Sequence, residues 1–200
     1  AEFWNGKRVF ITGHTGFKGS WLTTILCNNN ANVKGYSLKP VSDLNIFDSL
    51  KLNGEIESDI NDIRNYDNLK KSIQIFQPEI IFHLAAQPLV RQSYQDPMVT
   101  YATNVMGTVN LLEAARTCKS VRVAINVTTD KVYENVNQIW GYREIDSLGG
   151  HDPYSSSKAC SDIITSAYSR SFFQINDVGI ATARAGNVIG GGDWSVDRLV

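Results

Sequence analysis

The chain has 200 residues, 42% hydrophobic and 20% charged, with a net charge of −1. That balance is ordinary for a globular chain and supplies no basic field for nucleic acid or anionic lipid, so any phosphate must be held locally, by a loop or a helix end. No run of about 18 apolar residues offers a membrane-spanning helix, and three widely spaced cysteines (Cys27, Cys118, Cys160) fit the reduced thiols of a cytosol.

Short apolar runs alternate with amphipathic stretches. Lys7 to Thr12 (KRVFIT) predicts a buried strand, and a helix follows from Lys18 to Asn28. Asn32 to Leu38 starts a second strand and Glu55 to Ile60 a third. A helix through Leu69, Ile73 and Phe76 ends at Pro78, whose ring cannot continue the hydrogen-bond ladder. Glu79 to Ala85 is a fourth strand, followed by a long helix from Val99 to Cys118 with Val105, Val109, Leu112 and Ala115 at helical spacing. Val121 to Thr128 is the fifth strand, Pro153 to Phe172 a helix, and Gly179 to Arg184 the sixth strand. Apolar strands separated by helices predict an α/β fold, a doubly wound parallel sheet covered on both faces.

Between the first strand and first helix lies GHTGFKG, with Gly13, Gly16 and Gly19 spaced three apart. Gly13 permits a tight turn, Gly16 lets backbone approach a pyrophosphate, and Gly19 allows close helix–strand packing. The helix start offers N–H groups and partial positive charge to the anion. Glycines serving only a tight turn are the plainer alternative, but the triplet opens the first helix after an N-terminal buried strand, the setting a dinucleotide site needs. The second strand ends in Tyr36-Ser37-Leu38-Lys39, without a carboxylate for a ribose 2′-hydroxyl, so NAD and NADP both stay open here. Residues 1–185 are expected to form this Rossmann domain. Residues 186–200, opening with the Gly-rich stretch to Gly192, are expected to begin a smaller C-terminal substrate domain, the chain being a fragment.

Tyr154-Ser155-Ser156-Ser157-Lys158 places a phenol and an ammonium on one helix face. A free phenol titrates near pH 10, too high for a base at neutral pH, and a neighbouring ammonium stabilises the phenolate. A solvated helix face is the bland alternative. The glycine turn upstream favours catalysis.

The three-residue glycine spacing resembles that of the extended short-chain dehydrogenases/reductases. Other pieces match: His83-Leu84-Ala85-Ala86 closes the fourth strand, Asp62-Ile63 follows the third, Asn104 lies in the long helix, and Thr129 follows the fifth strand. Thr128-Thr129-Asp130-Lys131-Val132-Tyr133 resembles the T-D-E segment of sugar-nucleotide 4,6-dehydratases, and lysine in place of glutamate resembles the branch that uses CDP-glucose. Segments 86–91, 139–144 and 184–194 look similar to that branch. The resemblance implies catalytic roles for Thr129, Asp130, Lys131, Tyr154 and Lys158, with Asp130 kept protonated in a dry pocket as the acid for a departing C6 hydroxyl. It implies that Gly13, Thr15, Gly16, Phe17, Lys18, Gly19, Ser37, Asp62, Ile63, Leu84, Ala85, Ala86, Asn104, Tyr154 and Lys158 hold NAD, that Gln87 and Asn187 face the substrate, and that no metal takes part. It further implies CDP-glucose as partner, a homodimer or dimer of dimers, a cytoplasmic place, and a product used in O-antigen and lipopolysaccharide synthesis. The rivals are a dehydratase or epimerase for a dTDP-, UDP- or GDP-sugar, and a non-catalytic dinucleotide sensor.

Overall fold

The computed structural model describes residues 2–195. Six parallel strands form one sheet in the order β3-β2-β1-β4-β5-β6. They are β1 (Arg8–Thr12), β2 (Asn32–Ser37), β3 (Glu57–Ile60), β4 (Ile80–His83), β5 (Val123–Val127) and β6 (Gly179–Ala183). All six predicted strands are present, each trimmed by one to three residues. The helices are α1 (Phe17–Cys27), α2 (Ile46–Ser49), α3 (Tyr66–Phe76), α4 (Val90–Gln95), α5 (Pro97–Tyr101), α6 (Gly107–Arg116) and α7 (Pro153–Tyr168).

Alternation along β1 explains the two-sided core. Val9 and Ile11 point to one face and pack with Val33, Ile80 and Leu26 of α1. Phe10, between them, points to the other face and packs with Tyr36, Ile81, Ala124, Leu69 and Ile73 of α3, and Leu111 and Leu112 of α6. Strands buried on both faces must be apolar throughout, which is why they read as continuous runs. The edge strands β3 and β6 differ: β3 (ESDI) is polar with no buried residue, and the residues of β6 alternate between exposed and half-buried, each strand having one neighbour among the described residues.

Local signals set the helix ends. α3 stops at Phe76, and Gln77 turns left-handed (φ 53°) just before Pro78. Asp96 caps α5, its carboxylate accepting from Val99 N, with Pro97 at the first helical position. The single long helix predicted from Val99 to Cys118 is instead α5 and α6 joined by a π-helical turn, Ala102–Met106, in a helical run from Pro97 to Arg116. A second π turn, Ser169–Phe173, follows α7.

The chain reverses direction across the sheet between β1 and β4, and both strands end on the same side. A crevice at such a switch point is where doubly wound folds bind ligands.

Candidate active site

β1 runs straight into the glycine turn. Gly13 adopts φ +75°, and a Cβ on it would stand 2.7 Å from Ala85 N, so only glycine fits between the two strand ends. A Cβ on Gly19 would stand 2.1 Å from the Gly13 carbonyl oxygen, so this glycine permits the helix to pack on the turn. Gly16 is different. A Cβ there would meet only Gly13 O, at 3.4 Å, and Gly16 caps α1 without a side-chain hydrogen bond. The room beside Gly16 and the uncapped helix start together fit a diphosphate.

Thr15 links this turn to the end of β2. Its hydroxyl donates to Leu38 O at 2.8 Å, so the 2.9 Å contact between Thr15 and Ser37 is donated by Ser37. Ser37 is thereby left as an acceptor. His14 is buried beneath the turn, 2.7 Å from Ser58 Oγ, with its ring edge on Phe47. A Cβ on Gly35 would collide with that ring. Burial lowers the His14 pKa to about 4, which makes it a neutral packing group at pH 7.

Behind the crevice runs a chain of buried hydrogen bonds. Thr12 Oγ1 accepts from Leu84 N and Ala85 N, both at 3.2 Å, so its own proton goes to His83 Nδ1 at 2.7 Å. The His83 Nε2–H then faces Thr108 Oγ1, which also meets Ser161 Oγ of α7. Burial, with the charge of Lys158 added, lowers the His83 pKa to about 3. Asn104 sits in the first π turn, accepts from Gln87 N at 2.8 Å, and donates to Gln87 O and to Ser157 Oγ of α7. A π turn at this point aims Asn104 at both the loop after β4 and the helix α7.

α7 is started by Asp152, whose carboxylate accepts from Ser155 N at 2.9 Å, with Pro153 in the first turn. That start fixes Tyr154 in the first turn, half-buried, and Lys158 one turn on, buried. Lys158 Nζ donates to Val127 O, at the end of β5, over 2.9 Å. Its pKa is lowered to about 8, chiefly by burial and further by the positive charge of Lys18, while Asp162 pulls it back up.

Two residues beyond Val127, Thr129 Oγ1 donates to Asp130 Oδ1 at 3.0 Å and opens a short 3-10 turn, Asp130–Val132. Lys131 Nζ lies 3.5 Å from Asp130 Oδ1. The dry pocket expected for Asp130 is not formed by the described residues, since its side chain is 54% exposed.

Other expected residues have tasks within the protein. Gln87 turns its amide inward, accepting from Leu89 N and donating to Leu89 O and Thr100 Oγ1. Asp62 is paired with Arg64, whose hydrogen bonds hold the carboxyl below the usual range, and Ile63 is buried against Gly107. Asn187 is exposed in a segment that folds back on α1, where Trp21 Nε1 donates to Gly191 O at 3.0 Å. Of the stretch assigned to a second domain, residues 196–200 lie outside the described residues.

Sequence reasoning missed Asp162, Arg184 and Tyr133 as members of the site's frame. Asp162 and Arg184 form a two-pronged ion pair, and Arg184 reaches on to Tyr133. The available signal was an acid four residues after Lys158 on α7. Among the described residues no group of three or more His, Cys, Asp or Glu is arranged for a metal, and no helix is long and apolar enough to cross a membrane.

A family model described as GDP-mannose 4,6 dehydratase matches residues 10–185. The chain is 53% identical, over all of its length and 57% of the relative's, to a CDP-glucose 4,6-dehydratase of Salmonella typhimurium. It is 31% identical, over 82% of its length and 54% of the relative's, to a CDP-paratose 2-epimerase of Salmonella typhi. Among solved structures it resembles DesIV, a dTDP-glucose 4,6-dehydratase of Streptomyces venezuelae with NAD and TYD bound, at TM-score 0.78 and 25% identity, covering 92% of this chain and 57% of that one. The chain thus spans little more than half the length of the relatives it matches.

Proposed function

This chain belongs to the GDP-mannose 4,6 dehydratase family, and we propose that the protein carrying it is an NAD-dependent 4,6-dehydratase of CDP-glucose. The observation that carries the reading is the convergence at the end of β5. Lys158 is anchored on Val127 O there, and Thr129, Asp130 and Lys131 follow within four residues, in a fold whose glycine turn leaves room at Gly16.

NAD, when bound, supplies the two-electron acceptor that takes the C4 hydride and gives it back at C6. Gly16 and the start of α1 would hold its diphosphate, and Ser37 would accept from a ribose hydroxyl. The commitment of Ser37's proton to Thr15 favours NAD, because a 2′-phosphate needs a donor there. Tyr154 takes the proton of the C4 hydroxyl, Thr129 hydrogen-bonds the same oxygen, and the Lys158 ammonium stabilises the phenolate.

The C4 ketone makes the C5 proton acidic. Lys131 takes that proton on its Nζ lone pair, and the ammonium so formed faces the negative charge of the enolate. Asp130 gives a proton to the C6 hydroxyl, which departs as water and leaves a C5–C6 double bond. Lys131 would return its proton to C5 as the hydride returned from bound NAD to C6, completing a methyl group, and the proton held by Tyr154 would restore Asp130 through solvent, with no net oxidation. The exposure of Asp130 means that bound sugar supplies the cover that this acid needs.

The choice of CDP-glucose rests on the 53% identical relative and on Lys131. Gln87 and Asn187 as substrate contacts, residues 186–200 as the start of a second domain, a dimer, a cytoplasmic place and a role in surface-polysaccharide synthesis belong to the same proposal. A panel of CDP-, dTDP-, UDP- and GDP-glucose, followed by product analysis, tests it. Conversion of CDP-glucose to the 4-keto-6-deoxy sugar is expected, and turnover confined to another nucleotide overturns the assignment.

A further inference from the structure

We infer that Arg184 is a positioning residue that holds the elimination half of the site in register with the redox half; the inference rests on the 4,6-dehydratase reading. Arg184 follows β6 and is largely covered. Its Nε and Nη2 donate to Asp162 Oδ2 and Oδ1, each at 2.9 Å, in a parallel fork. Asp162 lies on α7 one turn beyond Lys158, so the fork ties Arg184 to the helix that carries Tyr154 and Lys158.

The remaining nitrogen, Nη1, donates to Tyr133 Oη at 3.0 Å and to Glu144 O at 3.3 Å. The guanidinium also lies 4.9 Å from the centre of the Tyr133 ring, and that ring stacks on Tyr142 at 5.1 Å. Tyr133 closes the 3-10 turn whose first two residues are Asp130 and Lys131. The other end of the turn meets the same assembly. Asp130 N donates to Ala185 O at 2.9 Å, next to Arg184, and Thr128 Oγ1 donates to Asp162 Oδ2 at 3.1 Å.

Asp130 and Lys131 are exposed and held by a surface-type pair and the Thr129 hydroxyl bond to Asp130, local contacts that fix their distance from Tyr154 poorly. Their placement relative to Tyr154 therefore depends on the flanks of the turn, and both flanks run to Arg184 and Asp162. A planar fork with a third donor makes these connections; the point charge of a lysine does not. Hydride removal at C4 depends on α7 and β5, so loss of Arg184 acts on elimination first.

The test uses the full protein and CDP-glucose carrying deuterium at C5 or at C4, comparing wild type with Arg184→Gln, Arg184→Lys and Tyr133→Leu. Tyr133→Leu leaves the Arg184–Asp162 pair intact and so guards against simple unfolding of the arginine variants. The expected result for folded variants is a kcat lowered about ten- to a hundredfold, the size of a roughly 1 Å misplacement. KM changes less than threefold, the C5 isotope effect on kcat grows and the C4 effect fades. A kcat within twofold of wild type, a change confined to KM, or a loss carried by the C4 isotope effect overturns the inference. Wild-type protein that forms no 4-keto-6-deoxy product from CDP-glucose refutes the function reading instead.

Discussion

Lys158 Nζ reaches from α7 to the carbonyl oxygen of Val127, 2.9 Å away, and so joins that helix to the end of β5, two residues before Thr129. The bond fixes the ammonium at the end of β5, from a helix position one turn beyond Tyr154. It also buries the charge, and burial lowers the pKa of Lys158 to about 8.

The ammonium is lost as pH rises through about 8, and stabilisation of the phenolate goes with it. The account predicts that kcat/KM falls above that pH, measured across a pH series. Lys158→Met is expected to lower kcat about 10²- to 10⁴-fold. The stability sign is opposite to that of a favourable ion pair. The unfolded chain holds this proton more tightly, so burial costs stability at neutral pH, and stability rises as pH climbs from about 8 toward 10.5. The variant should therefore melt no lower than wild type at pH 7; a clearly lower Tm contradicts the account.

The three glycines should separate by substitution. Gly13→Ala forces a Cβ to 2.7 Å from Ala85 N at φ +75°, so a drop in Tm together with loss of NAD binding is expected. Gly16→Ala meets nothing closer than 3.4 Å and should leave Tm within a few degrees while weakening NAD about tenfold or more, read by titration. Equal effects of the two on Tm would remove the distinction between turn and cradle.

Much of this was readable from the chain. Strands such as Val9 to Thr12 announce themselves because both faces are buried, and the glycine turn stands out because its spacing follows an N-terminal buried strand. What stayed hidden depends on contacts distant in sequence. The π turn at Ala102–Met106 exists because Asn104 bridges Gln87 and Ser157, residues 17 and 53 positions away. The Arg184–Asp162–Tyr133 assembly joins three segments, and the one local sign of it, an acid four residues after Lys158, names neither partner. Gln87 reads as a substrate contact by position, yet its amide is occupied by Leu89 and Thr100.

His14 and His83 should make the fold acid-sensitive. Both folded pKa values, about 4 and about 3, lie below the ordinary 6.5. Their contribution is present above pH 6.5 and is lost as pH falls toward those values, because the unfolded chain takes up the protons first. Each histidine should cost about 2 kcal/mol between pH 7 and 5, measured by urea unfolding. His83→Gln should flatten the slope; an unchanged slope argues against a neutral buried His83.

Thr15 should govern cofactor choice through Ser37. Thr15→Val removes the acceptor for the Ser37 proton and frees that hydroxyl to donate. Affinity for NADP relative to NAD is expected to rise several-fold by competitive titration, with the roughly 1 kcal/mol of one hydrogen bond as the scale. An unchanged ratio would show that Ser37 does not read the ribose.

The most direct test follows one atom. CDP-glucose deuterated at C4 is incubated with the protein and NAD, and the product is read by NMR. The account predicts a 4-keto-6-deoxy sugar with the C4 deuterium in its C6 methyl group, and a rate at least 100-fold lower for Tyr154→Phe. Deuterium returned to C4 with the C6 hydroxyl retained, or full activity without the Tyr154 hydroxyl, would contradict it.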